Sequence, residues 1–487
     1  MKRELAALAA REWDLVVVGA GIHGAAAAWD AAARGLCVAL VEWEDFGAGA
    51  SWNSLKTIHG GMRHLQRLDV ASLRESARER RTLLQIAPEL VEPLRFLVPC
   101  RGWGSSGRVA LAVGLLLNDL LTRDRNRGLP AERQIPDGRT LDVAEALALR
   151  PGLPERGLRG AALWYDAQAA STERLLLGFV HAAADAGAAV ANHAEALELL
   201  RAPRGRVAGV AVRDALGGST LELRARMVLN AAGPWMDELG ARSGLRRAPL
   251  PLLRARNLVL RRPLSVPLAV GAPSQGHFLF LVPWQGRSIV GTSYEPAAAT
   301  PSDPLAFLDE AARAFPWAGI ERGDLALVHE GLVPGAGGAH GLQTRSRIVD
   351  HEREDGTPGL LGLQGVKYTT ARALAERAVD LTLERLGRPP VACRTAETPL
   401  AKARRLTGSL DERTRVAVRE EMALTLADAV LRRLDLGTAG PPAAADLAAV
   451  SEVMARELGW DGERQRTEQA AVATFFARRR GASGLLE

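Results

Sequence analysis

Cysteine is nearly absent from the 487-residue chain. Cys37, Cys100 and Cys393 stand far apart with no CxxC spacing, which argues against a disulfide framework and against a zinc centre. No metal site is expected. Lysine is scarcer than its charge suggests: Lys+Arg total 62, yet lysine occurs only at Lys2, Lys56, Lys367 and Lys402. Where arginine is the default cation, a lysine inside a glycine-bearing motif marks a place that wants a compact ammonium. Lys56 and Lys367 both meet that description. Long apolar runs are missing too. The longest, Val109 to Leu117, falls far short of the roughly 20 residues of a membrane span. The opening MKRELAALAAREW has no apolar signal core. The expectation is a cytoplasmic protein, attached at most to the cytoplasmic face of a membrane. Neither charge sign dominates: 62 basic against 56 acidic residues give a net +6 without a basic tail. Nucleic acid is therefore not an expected partner, whereas anionic small molecules or an acidic membrane surface fit.

What is present is ample apolar sequence, 47% of the chain, enough for two or three domains. Its most informative stretch is residues 13–42, WDLVVVGAGIHGAAAAWDAAARGLCVALVE. An apolar strand leads into Gly19, Gly21 and Gly24 in G-x-G-x-x-G spacing. An alanine-rich helix, a second apolar run and Glu42 follow. This is the pattern of a dinucleotide-binding βαβ unit. The first glycine permits the tight turn, the second lets backbone approach a pyrophosphate, and the third brings helix and sheet together. The helix N-terminus faces the phosphates with its positive dipole end. Glu42, 18 residues beyond Gly24, stands where a carboxylate accepts hydrogen bonds from a ribose.

Further along, Asp45 to Gly61 reads as a functional loop, and 69–91 as a charged helix whose arginines line a solvated face. Residues 99–150 read as a helical insertion with the apolar stretch VALAVGLLLNDLL packed internally. Residues 160–240 return to α/β character, and 250–334 suit a separate antiparallel sheet. LLGLQGVKYTTARALAERAVDLTLERLG gives a strand, a glycine turn and a long helix. The fold expected is α/β: a Rossmann-like dinucleotide-binding domain (12–98, 151–240 and 341–390), an antiparallel-sheet substrate or cap region (99–150 and 241–340), and an all-helical C-terminal domain (400–487).

Taken in order, GAGIHGAAAAWDAAARGL, ASWNSLKTIHGGMRHLQ, IAPELVEPLRFLVP, WYDAQ, VLNAAGPWMD, GVKYTTAR and EEMALTLADAVLRRLDLG resemble the FAD-dependent glycerol-3-phosphate dehydrogenases, amino-acid-oxidase-like flavoproteins. The resemblance implies FAD as the cofactor. It implies hydride transfer from a secondary alcohol such as sn-glycerol 3-phosphate to the flavin, giving dihydroxyacetone phosphate, with quinone or oxygen taking the electrons. It places the ADP half at Gly19, Gly21, Ile22, His23, Gly24, Glu42 and Trp43. The phosphates and flavin fall to Ser51, Ser54 and Lys56, the ring to the backbone of His59, Gly60 and Gly61. Ala196, Ala232 and Gly233 join the cofactor site, as does the turn Gly365, Lys367, Thr369 and Thr370. Arg63, Arg345 and Lys367 are the implied anion-binding cations. Peripheral membrane contact and a homodimer both stay open.

The chain departs from the family at the substrate end. Val333 stands where the family carries a phosphate-binding arginine, Asn257 where it carries a histidine facing the flavin, His64 for a tyrosine, and Tyr294 for an aspartate. Asparagine does not take up a proton near neutral pH, and loss of a general base costs about 10²- to 10⁴-fold. His64 is the candidate substitute base. The same flavin machinery acting on another hydroxy acid, alcohol or amine, or a catalytically silent flavoprotein, is the alternative.

Overall fold

The computed structural model describes residues 1–102, 107–245, 249–275, 277–336 and 341–479. Trp13–Val18 forms a strand buried along its whole length, as the apolar run 15–18 requires at the centre of a sheet covered on both faces. It pairs in parallel with Val38–Val41 on one side and Thr220–Asn230 on the other. Ala189–Ala191 and Leu360–Gln364 extend the parallel sheet outward, and Arg347–Asp350 closes one edge antiparallel. The helix Ile22–Ala33 packs on Thr172–Asp185 and Ala371–Arg385. Its alanines permit that close approach, and a methyl at Gly24 would lie 1.8 Å from the Gly19 carbonyl.

The second sheet is mixed and larger than expected. Its strands run in the order Leu325–Pro334, Leu252–Leu260, Arg287–Pro296, His277–Trp284, Leu268–Ser274, Val91–Arg101, Leu158–Ala169, Thr57–Ile58. Leu268–Ser274 lies parallel to Val91–Arg101, the other neighbours being antiparallel. Residues 91–101 and 158–169 therefore belong to the second sheet, although the sequence reading placed most of them in the nucleotide-binding part. Pro93 and Pro99 disguise the first of these strands, since proline argues against a sheet interior.

Two other expectations change. The apolar helix Arg108–Leu121 is not packed internally: only Leu115 is buried, and Val109, Leu116 and Leu120 are 77%, 69% and 62% exposed. The helix Val70–Ile86 does not simply display its charges to solvent. Glu79 and Arg80 are buried and pair with Arg372 and Asp166, because helices and strands enclose that face.

The C-terminal part is helical as expected, with Leu410–Glu421, Ala444–Leu458 and Gly462–Arg478 around a π-helical turn at Asp428–Arg433. Buried ion pairs fasten it to the nucleotide-binding domain. Arg433 reaches both oxygens of Asp45 at 2.6 Å, and Arg174 meets Glu421 at 2.6 Å.

Candidate active site

A cavity of ≈ 2670 Å³ is walled on one side by the carboxyl ends of the parallel strands and on the other by the second sheet. Small-molecule pockets occupy roughly 300–1,000 Å³, so there is room for a dinucleotide and a second ligand. The position is where open α/β sheets bind ligands.

At one end lies the glycine turn. Gly19 has φ +95°, and a Cβ there would sit 2.7 Å from the Ala231 carbonyl oxygen. The helix Ile22–Ala33 starts on Gly21 without a side-chain cap, while Ser51 Oγ accepts from Ile22 N–H at 3.0 Å. Glu42 is buried and accepts from the backbone of Ala20 at 2.6 Å. Burial pushes its carboxyl up to about 7, against the pull of the Ala20 and Glu44 N–H groups. Trp43 packs on Trp235 with ring centroids 5.1 Å apart. Ile22, Ser54, Ala196, Ala232 and Gly233 join this wall.

His23 connects this end to the middle of the cavity. Burial pushes its imidazole down to about 4, so it is neutral at pH 7, and its Nε2 is buried without a hydrogen-bond partner among the described residues. A Cβ on Gly365 would lie 2.1 Å from its ring. The turn leading to the helix Ala371–Arg385 thus needs a glycine where it passes His23. An uncapped helix start, an acidic strand end and an orphaned ring nitrogen in the same wall suit the ADP and flavin portions of FAD.

Away from the glycine turn, Arg63, His64, Asn257, Tyr294, Val333, Lys367 and Thr369 share the cavity wall with His59 and Gly61. All four departures from the family pattern thus line this one cavity. Lys367 Nζ lies 2.5 Å from His64 Nε2. Burial and the neighbouring Lys367 hold His64 below the usual histidine range, and burial lowers Lys367 as well. Asn257 Oδ1 accepts from Thr292 Oγ1 at 2.8 Å. Burial pushes the Tyr294 hydroxyl up. Arg63 makes no hydrogen bond or ion pair with any other described residue.

Five residues assigned to the site from sequence lie off the wall. Lys56 pairs with Glu173 at 2.5 Å, both side chains fully buried, and donates to Trp52 O and Thr172 Oγ1. It neutralises an interior carboxylate and offers no charge to a phosphate. Arg345, 72% exposed, is paired with Asp69 at 3.0 Å. Gly60 makes room for the Arg80–Asp166 pair: a Cβ would lie 2.2 Å from Arg80 Nη1. Gly24 acts through helix packing, and Thr370 stands at the N-cap of Ala371–Arg385.

Asp166 escaped the sequence reading. It lines the cavity, accepts from Gly60 N–H at 2.5 Å and lies 3.6 Å from His59 Nδ1. Its signal was a lone acid in the otherwise uncharged strand residues WYDAQ. Among the described residues no group of side chains could hold a metal ion.

Residues 14–381 match the FAD dependent oxidoreductase family. With the cradle and cavity described above, this defines the class: a flavin-dependent oxidoreductase that binds FAD. Residues 391–465 match the C-terminal domain of alpha-glycerophosphate oxidase. The chain belongs to the FAD-dependent glycerol-3-phosphate dehydrogenase family. A glycerol-3-phosphate dehydrogenase of Synechocystis is 30% identical over 422 residues, covering 82% of this chain and 75% of the relative. One from Mycobacterium leprae is 31% identical over 532 residues, covering 96% and 88%. The structure of a glycerol-3-phosphate dehydrogenase from Bacillus halodurans complexed with FAD superposes with a TM-score of 0.75 at 23% identity, covering 99% of this chain and 97% of that one.

Proposed function

We propose that the enzyme oxidises a secondary alcohol bearing an anionic group, sn-glycerol 3-phosphate first among candidates, to the ketone, and that a membrane quinone receives the electrons. The observation that carries this reading is the pair of cations in the cavity wall, Arg63 and Lys367, neither in an ion pair with a described carboxylate. A guanidinium beside an ammonium suits phosphate oxygens. FAD held by Gly19, Gly21, Glu42 and the Gly365 turn would supply the two-electron acceptor. The protein's tasks are then orientation and exclusion of water. Arg63 and Lys367 fix the anionic end, the Asn257 amide stands where it can bond a substrate oxygen, and Trp164 and Phe280, both packed on the buried Phe96, give the opposite wall an apolar lining.

Anaerobic mixing of the FAD-loaded protein with glycerol 3-phosphate, glycerol and glycerate tests the reading through bleaching of the flavin band. Bleaching by glycerol 3-phosphate alone supports it. Bleaching by glycerate alone moves the substrate to a hydroxy acid, the reading that Val333 favours because it removes a cation from the site. No bleaching by any donor leaves a silent flavoprotein.

The quinone assignment draws on the apolar face of Arg108–Leu121, where Val109, Val113, Leu116, Leu117 and Leu120 are exposed beside the exposed Arg101, Arg108, Arg123 and Arg127. An apolar helix face among arginines suits an anionic bilayer surface. No described helix is long and apolar enough to cross a membrane. Co-sedimentation with anionic vesicles that is lost in Leu116→Glu/Leu120→Glu supports peripheral attachment. A vesicle-independent dimer that the same variant dissociates assigns the face to a second copy.

A further inference from the structure

Two nitrogens face each other across the substrate end. Lys367 Nζ is 2.5 Å from His64 Nε2, and an ammonium only donates, so Nε2 accepts and the imidazole proton sits on Nδ1. Nδ1 is turned toward the Asp69 carboxylate at 3.9 Å. Both residues line the cavity, and His64 is buried in the turn Met62–Arg67 that begins at Gly61. Two cationic nitrogens at this separation repel, so below about pH 6.5, where a separate imidazole would charge, the pair still holds one ionising proton where two separate side chains would hold two.

The surrounding charge sharpens the point. His64 is faced by Lys367, Asp69, Arg67 and Arg345, and Lys367 by Glu75, Arg63, Asp69 and Arg67. The four cations Lys367, Arg63, Arg67 and Arg345 outnumber the two carboxylates Asp69 and Glu75 by two. A dianion placed there would balance that excess and raise the proton affinity of every nearby base.

Resting on the reading that the substrate's anionic group sits beside Lys367 and Arg63, we infer that this group enables its own oxidation: by offsetting the cations it lets the His64–Lys367 pair accept a second proton, that of the substrate hydroxyl. His64 is then a catalytic residue standing in for the base that Asn257 cannot be. In the balanced step the anion draws the Lys367 ammonium off His64 Nε2, the O–H bond breaks and its proton passes to the lone pair so freed. Bound FAD would supply the acceptor for the hydride that leaves with the electron pair of the carbinol C–H bond as the carbon–oxygen double bond forms. With no anion bound, the pair is a poor base and the hydroxyl keeps its proton.

The test needs no turnover. Sulfate, a dianion throughout the working range, is titrated into the FAD-loaded protein near pH 7 by calorimetry in buffers of different ionisation enthalpy, which counts protons taken up per anion bound. Uptake in the wild type that disappears in His64→Gln, with sulfate still bound, is the expected result. No uptake in the wild type, or undiminished uptake in His64→Gln, overturns the inference. Loss of uptake in His59→Gln but not His64→Gln also overturns it, moving the role to the His59–Asp166 pair. Lys367→Met gives a second check: the imidazole NMR titration of His64 should move to higher pH without sulfate, and an unmoved titration removes the pair. Sulfate-driven uptake together with no flavin bleaching by glycerol 3-phosphate would leave the pair standing and the substrate assignment fallen.

Discussion

Lys56 Nζ lies 2.5 Å from Glu173 Oε1 in a contact with no exposed surface on either side chain. Removing one partner of such a pair strands a charge in the interior and costs about 3–5 kcal/mol. Lys56→Met should lower the unfolding free energy by that amount, read as a fall in the denaturant midpoint at unchanged m. Because Lys56 does not reach the cavity, FAD affinity of the folded variant should stay within about twofold. Flavin fluorescence during urea unfolding and FAD titration of the stripped protein separate the two. Normal stability with lost FAD binding would return Lys56 to the cofactor.

Glu42 answers a different question, since its carboxyl is pushed up to about 7 by burial. A ribose hydroxyl donating to it favours the ionised form, so FAD binding releases a proton wherever the free protein carries one. The wild-type Kd for FAD should therefore fall as pH rises between about 6 and 8. Glu42→Gln should flatten that slope and weaken binding by about 10- to 100-fold at the upper end, the worth of charged hydrogen bonds. In the FAD-free protein the sign reverses. The folded state holds the proton more tightly than the unfolded chain, so Glu42's contribution to stability declines as pH rises from 4.5 through 7.

Acid acts through the buried histidines. Burial pushes His23 down to about 4, and burial with the neighbouring Lys56 pushes His329 down to about 3, both from 6.5. The unfolded chain then binds protons that the folded one refuses, so stability falls as pH drops from 6.5 toward 4, by about 1.4 kcal/mol per unit per histidine. Urea midpoints between pH 7 and 4 should show this fall, and His329→Gln should show a shallower one. Equal slopes would mean that His329 charges as readily folded as unfolded.

Local features were the ones that the sequence displayed. Gly19, Gly21, Gly24 and Glu42 lie within one supersecondary unit, and their spacing alone dictates strand, turn and helix. The departures Asn257, Tyr294 and Val333 were visible as well, because each sits on a strand beside recognisable motif residues. What escaped were relationships between distant segments. Lys56 in its motif looked like a phosphate ligand until Glu173 came to lie against it, and Arg345 looked like a substrate cation until Asp69 paired with it. Pro93 and Pro99 hid a strand whose partners, Leu158–Ala169 and Leu268–Ser274, lie far along the chain. The helix Arg108–Leu121 misled for another reason: apolar sequence predicts burial, and nothing in a run of leucines says whether the cover comes from this chain.

Arg63 and Arg345 were equal candidates by sequence, and the structure separates them. Arg63 lines the cavity without a partner among the described residues, whereas Arg345 is 72% exposed and bound to Asp69. An exposed ion pair is worth about 0–1 kcal/mol, and a charged hydrogen bond to a ligand about 1.5–3 kcal/mol. Arg63→Ala should therefore raise the KM for the anionic substrate by about 10- to 100-fold, and Arg345→Ala by no more than about fivefold. The Arg63 effect should shrink with an uncharged donor, since no anion is left for the guanidinium to hold. Stopped-flow reduction of the bound flavin across substrate concentrations measures both. A larger loss in Arg345→Ala would mean that Asp69 releases Arg345 to the cavity when substrate arrives.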